Sequence, residues 1–281
     1  MLNDSVFTDN ILEFAKKNKK KYNNNKPFPH MVIDDAIELN LIKEIMETYP
    51  TLSHLKDVQV IKGRTDDKLA SKRGDKYQTN SIKNLLRFLN SSIFIDFLQI
   101  LTSIKEPLIP DPHFIGGGMH QIRKGGFLKI HADFCYHPET KLDRRINVLI
   151  YLNKNWDKSF GGELNLYSKD MKNCVQKILP VANRMVIFNT TSDAFHGHPD
   201  PLNCPENKKR NSLAIYYYSN GRPKKEIRSL LENQSTIYKK RPGEKFIGKN
   251  SFSTSNKFII SLIPPILLPL ILKVKNLSKK S

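Results

Sequence analysis

His131 and Asp133 flank Ala132 near the end of Phe127–Asp133, a run rich in strand-forming residues. In a strand, positions i and i+2 project from one face, so this pair offers an imidazole nitrogen and a carboxylate oxygen to one point. A second source of imidazole lies far downstream in Phe195–Pro199, where His196 and His198 are again two apart. Either histidine can supply a third donor, and a turn at Gly197 and Pro199 would separate them. Two imidazoles and one carboxylate bind a divalent transition metal on one side and leave its other positions open. An H-x-D triplet alone is common and more often structural, so its companions decide. Arg210 and then Ser212 enter an apolar run that ends in Tyr216–Tyr218. The planar guanidinium of an arginine suits a carboxylate, because it makes two parallel hydrogen bonds. The plainer reading of Arg210 is a solvent charge continuing Lys208 and Lys209. Cys135, Cys174 and Cys204 form no C-x-x-C pair, which argues against a disulfide scaffold or a cysteine-based zinc site.

These side chains need a frame. After Pro110 the chain reads as short β-type runs: Met119–Arg123, Phe127–Asp133, Arg145–Asn153, Glu163–Leu166, Val175–Leu179, Arg184–Phe188 and Leu213–Ser219. Glycines at 116–118, 125–126 and 161–162 punctuate them as turns, and none makes a G-x-G-x-x-G nucleotide loop ahead of a helix. This spacing predicts a β-sandwich or jelly roll. Ahead of Pro110, apolar periodicity predicts helices over Asp9–Lys21, over Asp35–Tyr49 with Asp34 and Asp35 as caps, and over Asn80–Thr102 with a split near Asn90. Pro27–Asp34 predicts a loop leading into a short strand, and Val58–Tyr77 is polar and without a clear period. The fold expected is mainly β with flanking α-helices. Its parts are a helical and strand-bearing region over 1–109, a β core over 110–221 and a basic tail over 222–281. With 281 residues, 39% hydrophobic and 26% charged, the chain can bury a core of ordinary size.

The two-histidine, one-carboxylate set is that of non-haem Fe(II) oxygenases. The ordered blocks GGFLKIHADF, RRINVLIYLN, FGGELNLY, NRMVIFNTT, FHGHPDPLNCPE and KRNSLAIYYY, over roughly residues 110–220, resemble the 2-oxoglutarate- and Fe(II)-dependent oxygenase superfamily, nearest its prolyl 4-hydroxylase-like branch. Pro27–Asp34 resembles that branch weakly. The resemblance implies a double-stranded β-helix, a cupin-like jelly roll, with N-terminal helices packed on it. It implies His131, Asp133 and His196 as metal ligands, with His198 as rival for the distal place. It implies Arg210 as the residue that binds the distal carboxylate of 2-oxoglutarate, with Tyr151 and Ser212 in support. Fe(II), 2-oxoglutarate and O2 follow as cofactor and cosubstrates, with ascorbate as an optional reductant. The activity implied is hydroxylation of a C–H bond, with a prolyl residue of a peptide or protein as one candidate substrate. Members often carry a tyrosine shortly before the first ligand; here that place holds Ile122, beside Gln121. An Asp or Glu would be expected to orient the ligand histidines. His120 fits core or pocket, His137 reads as a surface-loop residue or substrate contact, and Asp143–Arg145 and Val58–Tyr77 read as shapers of the substrate entrance.

The net charge is +19, and the residues from Arg222 onward, with 14 basic against 3 acidic, carry +11 of it. The excess therefore concerns the tail more than the body; a general inflation of Lys, Asn and Ile is its bland explanation. Phe258–Leu272 is apolar, broken by Pro264, Pro265 and Pro269, and short of the ~20 residues of a membrane span. It predicts either docking on the protein's own body or a peripheral membrane contact through 258–275. Alternative substrates are then a small molecule, a lipid or a glycan at a membrane surface. A nucleic-acid demethylase would use the same iron chemistry, but the close arginine pair of that class and its base-stacking aromatics are missing, so no nucleic-acid partner is expected. A non-catalytic jelly-roll binding module is the remaining reading. Met1–Lys21 has no apolar leader core, which predicts a cytoplasmic protein, peripheral to the inner face of a membrane if the tail docks there.

Overall fold

The computed structural model describes residues 10–56, 58–71, 78–137, 139–223, 226 and 236–244. Helix α1 (Ile11–Asn24) opens on Asn10, whose side chain accepts from the Glu13 N–H, and strand β1 (His30–Ile33) follows. Helix α2 (Leu39–Thr48) starts later than its periodicity predicts. Its cap is Glu38, whose carboxylate accepts from the N–H groups of Asn40 and Leu41 at 3.0 and 2.9 Å. The expected caps are used elsewhere: Asp34 accepts from Arg184, and Asp35 turns the chain at φ +50°. The polar stretch without a clear period folds as a hairpin of β2 (Val58–Lys62) and β3 (Asp66–Ser71). Helices α3 (Asn80–Leu89) and α4 (Ser92–Thr102) meet at Asn90 with a bend of 51°.

The β part comprises β4 (Ile109–Pro110), β5 (Gly118–Ile122), β6 (Phe127–Ala132), β7 (Asp143–Tyr151), β8 (Leu164–Tyr167), β9 (Cys174–Ile178), β10 (Arg184–Asn189), β11 (His196–His198), β12 (Arg210–Ser219) and β13 (Ile237–Tyr238). The seven runs read from sequence all lie on strands. The three extra strands, β4, β11 and β13, have two or three residues each, too few to show a period. One curled sheet runs β1-β10-β7-β12-β5-β3-β6-β11-β8-β9, with β2 beside β3, β4 beside β12 and β13 beside β6.

Alternation along the long strands sorts their side chains into two layers. Ile146, Val148 and Ile150 of β7, Met185 and Ile187 of β10, and Leu213, Ile215 and Tyr217 of β12 join Ile42, Leu85, Phe94 and Phe97 of the helices in the main core. The residues between them point into the concave face. Leu149, Tyr151, Val186 and Phe188 pack there with Leu164 and Leu166, and Ala214, Tyr216 and Tyr218 form a further cluster. The helices thus back the sheet on one side and leave the other as an inner lining.

Among the described residues no single helix is long and apolar enough to cross a membrane. The described residues fall within a unit spanning Met1–Phe246. The apolar segment Phe258–Leu272, and with it the tail contact expected through 258–275, lies outside the described residues.

Candidate active site

Strand β6 pairs antiparallel with β11 so that His131 stands opposite His196, their ring centroids 4.5 Å apart. Asp133 follows β6 immediately. Its Oδ1 is 3.3 Å from His131 Nε2 and its Oδ2 3.5 Å from His196 Nε2. Ligand atoms of these three buried residues lie within 4.8 Å of one another. His131 Nδ1 donates to the Lys129 carbonyl at 2.8 Å and His196 Nδ1 to the Ala194 carbonyl at 2.9 Å. A carbonyl only accepts, so each Nδ1 carries a proton, and each Nε2 is turned toward the Asp133 carboxylate. Backbone carbonyls thus orient both rings, where the sequence reading expected an Asp or Glu.

Arg144 and Asn147, which the sequence reading assigned no role at the metal, steady the carboxylate. Arg144 Nη2 donates to Asp133 Oδ2 at 3.0 Å and Asn147 Nδ2 to the same oxygen at 2.7 Å. Arg144 is fully buried at the start of β7, its guanidinium 3.4 Å from the Tyr216 ring centroid and 4.5 Å from that of Phe134. Asp143–Arg145 is therefore no entrance loop but the buried start of a strand: Arg222 binds Asp143, and Arg145 binds Glu106. Burial alone would raise the Asp133 carboxyl; Arg144, His196 and His131 override it and hold the group well below the usual carboxylate range. Burial lowers the His196 imidazole to about 4, against the pull of Asp133. A neutral His196 imidazole and an ionised Asp133 carboxylate are in the donor forms a divalent metal needs.

The triad opens into a cleft lined by both polar and apolar side chains. Arg210 reaches it from β12 and is not a solvent charge: it is 5% exposed, its Nε donates to the Gly162 carbonyl at 2.8 Å, and its Nη2 donates to Tyr151 Oη at 3.3 Å. Burial raises the Tyr151 hydroxyl pKa, opposed by Arg210. Ser212 lines the same cleft two residues further along β12. His198 lies outside the triad. It is 3% exposed, its two ring nitrogens have no hydrogen-bond partner among the described residues, and burial, with Arg210 and Lys68 nearby, pushes its imidazole well below the ordinary value. His120 also faces the cleft, while Gln121 points the other way and accepts from the Leu52 N–H. Ile122 lines the cleft where a tyrosine is common in the resembling branch. His137 is neither surface loop nor open contact. It is buried 3.7 Å from Asp111, and its Nδ1 accepts from the N–H groups of Glu139 and Thr140.

Sequence comparison matches residues 117–218 to the 2OG-Fe(II) oxygenase superfamily. Over this stretch, a little over a third of its length, the chain is similar to that superfamily. The matched stretch carries the triad, Tyr151 and Arg210, but stops short of the hairpin β2–β3 on one side and of β13 on the other. Among sequence relatives, mouse Prolyl 3-hydroxylase OGFOD1 is 32% identical over 91 residues, which are 31% of this chain and 16% of the relative. The Xenopus laevis protein of the same name is 24% identical over 197 residues, 68% of this chain and 35% of the relative. The chain thus spans well under half the length of the curated relatives it matches. In fold, the chain is similar to a Pseudomonas putida prolyl-4-hydroxylase, with a TM-score of 0.54, 16% identity, and coverage of 74% of this chain and all of the other. It is also similar to a Trichoplax adhaerens prolyl hydroxylase solved with a hypoxia inducible factor peptide fragment, with a TM-score of 0.55, 20% identity, and coverage of 74% and 90%. The curled sheet with its helical backing is the jelly-roll fold of these structures.

Proposed function

We propose that the protein is an Fe(II)- and 2-oxoglutarate-dependent dioxygenase that hydroxylates a C–H bond, with a prolyl residue of a peptide or protein as its substrate. The observation that carries the reading is the convergence of two imidazole Nε2 atoms and one carboxylate at the mouth of a cleft that also holds a buried arginine with no acidic partner among the described residues. His131, Asp133 and His196 would hold the iron, and Arg210, with Tyr151 and Ser212, the far carboxylate of 2-oxoglutarate. When bound, iron and the 2-oxo acid activate O2 for attack on an unactivated C–H bond. The chain's own part is to present the ligands, grip the cosubstrate and wall the cleft with Leu128, Leu149, Leu164 and Phe188. The prolyl substrate is supported by the prolyl hydroxylases among both the sequence relatives and the fold neighbours.

The test is anaerobic titration with Fe(II) and 2-oxoglutarate, followed by the weak visible band of the chelate. Aerobic incubation with a proline-containing peptide library, read by mass as a gain of one oxygen, then tests the substrate. A band lost in His131→Ala supports the iron site. No band in folded, iron-loaded protein sinks the reading.

A peripheral membrane contact at the cytoplasmic face belongs to the same proposal, on the basic and apolar composition of 258–275. Truncation near residue 250 tests it. Equal binding of the long and short chains to anionic vesicles removes the idea.

A further inference from the structure

We infer that Lys68, carried by the hairpin β2–β3 outside the superfamily match, is a second cationic arm on the far carboxylate of the cosubstrate, facing Arg210 across the cleft. This inference rests on the function proposed above. Its starting point is strand register. Arg210 of β12 pairs with Ile122 of β5, and Leu69 of β3 pairs with Gln121 of β5. Continuing the antiparallel register by one residue puts Lys68 opposite Ile122. Arg210, Ile122 and Lys68 therefore form one row across three adjacent strands, and all three line the cleft. Two strand spacings put the backbones of the two cations about 10 Å apart, with an apolar floor between them.

The row stands away from the metal triad. Leu128 of β6 pairs with His198 on one side and with Asp66 on the other, so Lys68 lies beyond that level, while His131 lies three residues the other way. Along the cleft the order is triad, then His198, then the Lys68–Arg210 row.

The charges at this end are uncompensated. The Lys68 ammonium makes no hydrogen bond or ion pair with any described residue. The acids that act on it are Asp66 and Asp133. Asp66 accepts from Thr65 Oγ1, and Asp133 is taken up by Arg144 and Asn147. Arg210 has only a carbonyl and a phenol. His198 beside them offers two unpartnered ring nitrogens, and His120 one. Two cations facing one desolvated space need an anion there, and burial depresses the Lys68 ammonium until one arrives. Arg210 recognises a carboxylate by its fork, and Lys68 adds a point charge from the opposite wall.

The test compares binding of 2-oxoglutarate with that of 2-oxopentanoate, which keeps the chelating end and lacks the far carboxylate. Both are titrated anaerobically into Fe(II)-loaded full-length protein and followed by the chelate band. In Lys68→Met, 2-oxoglutarate should bind about tenfold more weakly, the loss of one charge-assisted contact, while 2-oxopentanoate stays within about twofold of wild type. Lys68→Gln should behave alike and stands in if the methionine variant melts early. Lys62→Met, an exposed change on the same hairpin, should alter neither constant. Unchanged 2-oxoglutarate affinity in the Lys68 variants, or an equal loss for both acids, overturns the inference. A wild-type protein that forms no chelate with either acid instead overturns the function on which it rests.

Discussion

Arg144 donates to the same Asp133 oxygen that Asn147 holds, at 3.0 and 2.7 Å, while its guanidinium lies flat on Tyr216. One carboxylate oxygen is thereby spoken for, and the other is turned toward His131. A stacked, buried arginine fixes this orientation better than solvent would, and outer partners of this kind typically tune metal affinity. Arg144→Met should therefore weaken Fe(II) or Co(II) binding by ~10–100-fold. It should also cost roughly 3–5 kcal/mol of stability, because Asp133 is left buried without its cation. Metal titration and thermal melts with and without metal check both. Unchanged metal affinity would show that Arg144 serves packing only.

Gly162 sits at φ +77°, and a Cβ there would lie 2.6 Å from Leu202 and 3.1 Å from Arg210 Cδ. The carbonyl of the same residue accepts from Arg210 Nε. Gly162→Ala should thus push the arginine off its perch and reduce 2-oxoglutarate affinity by about tenfold, the loss of one well-placed charged contact. Metal affinity should not change, since the triad lies on other strands. Paired titrations of metal and cosubstrate separate the two effects.

Gly197 lies between His196 and His198 on β11, with the Leu128 and Lys129 carbonyls 2.7 and 2.8 Å from where a Cβ would stand. These are backbone atoms of β6 and cannot step aside alone. Gly197→Ala should prise the two ligand strands apart, with at least ~1–3 kcal/mol lost to overpacking and metal binding reduced in the protein that still folds. A melting temperature equal to wild type would contradict this close approach.

Glu244 accepts from Lys129 at 2.6 Å, and Arg241 joins Asp200 and Glu244. Burial alone would raise the Glu244 carboxyl, but Lys129 and Arg241 hold it below its ordinary value. A carboxyl lowered in the folded state stabilises the fold above its unfolded pKa of ~4.3, and that contribution fades as pH falls through the lower folded value. The segment carrying Glu244 should therefore loosen below about pH 4 in wild type. Glu244→Gln should be looser already at pH 7 and show less change over the same acid range. Limited proteolysis after residue 223 across pH reads the difference.

Much of the site was legible because strands advertise themselves by alternation. His131, Asp133 and Arg210 sit at strand positions whose facing could be counted, and the blocks around them keep their order. The hairpin β2–β3 was not legible: Val58 to Ser71 is half-exposed and mostly polar, so burial left no period in it. Strand β11 is three residues long, too short for alternation to choose between His196 and His198; the pairing of His131 with His196 does that. Arg144 read as a loop charge because its neighbours are charged too. Its partners, Asp133 and Tyr216, are brought to it only by sheet closure. The carbonyls of Lys129 and Ala194 that orient the ligand rings have no side-chain signature at all. The helix cap at Glu38 was missed because Asp34 and Asp35 are better cap residues by type, but Arg184 and a left-handed turn claim them.

Strand β6 has one edge on β11, and its other edge is shared. Leu128 and Phe127 pair with Asp66 and Asp67 of β3, whereas Ala132 and His131 pair with Ile237 and Tyr238 of β13, whose tyrosine ring lies 5.5 Å from that of His131. The histidine strand is thus completed by one neighbour made long before it and one made long after it. During synthesis the hairpin is already available when β6 emerges, but the second half of its edge stays open until residue 238 has left the ribosome. Contacts of such long sequence separation form late and slowly. The nascent chain therefore exposes an unpaired strand edge beside His131 until residue 238 has emerged, and during this interval that edge is open to mispairing with another chain.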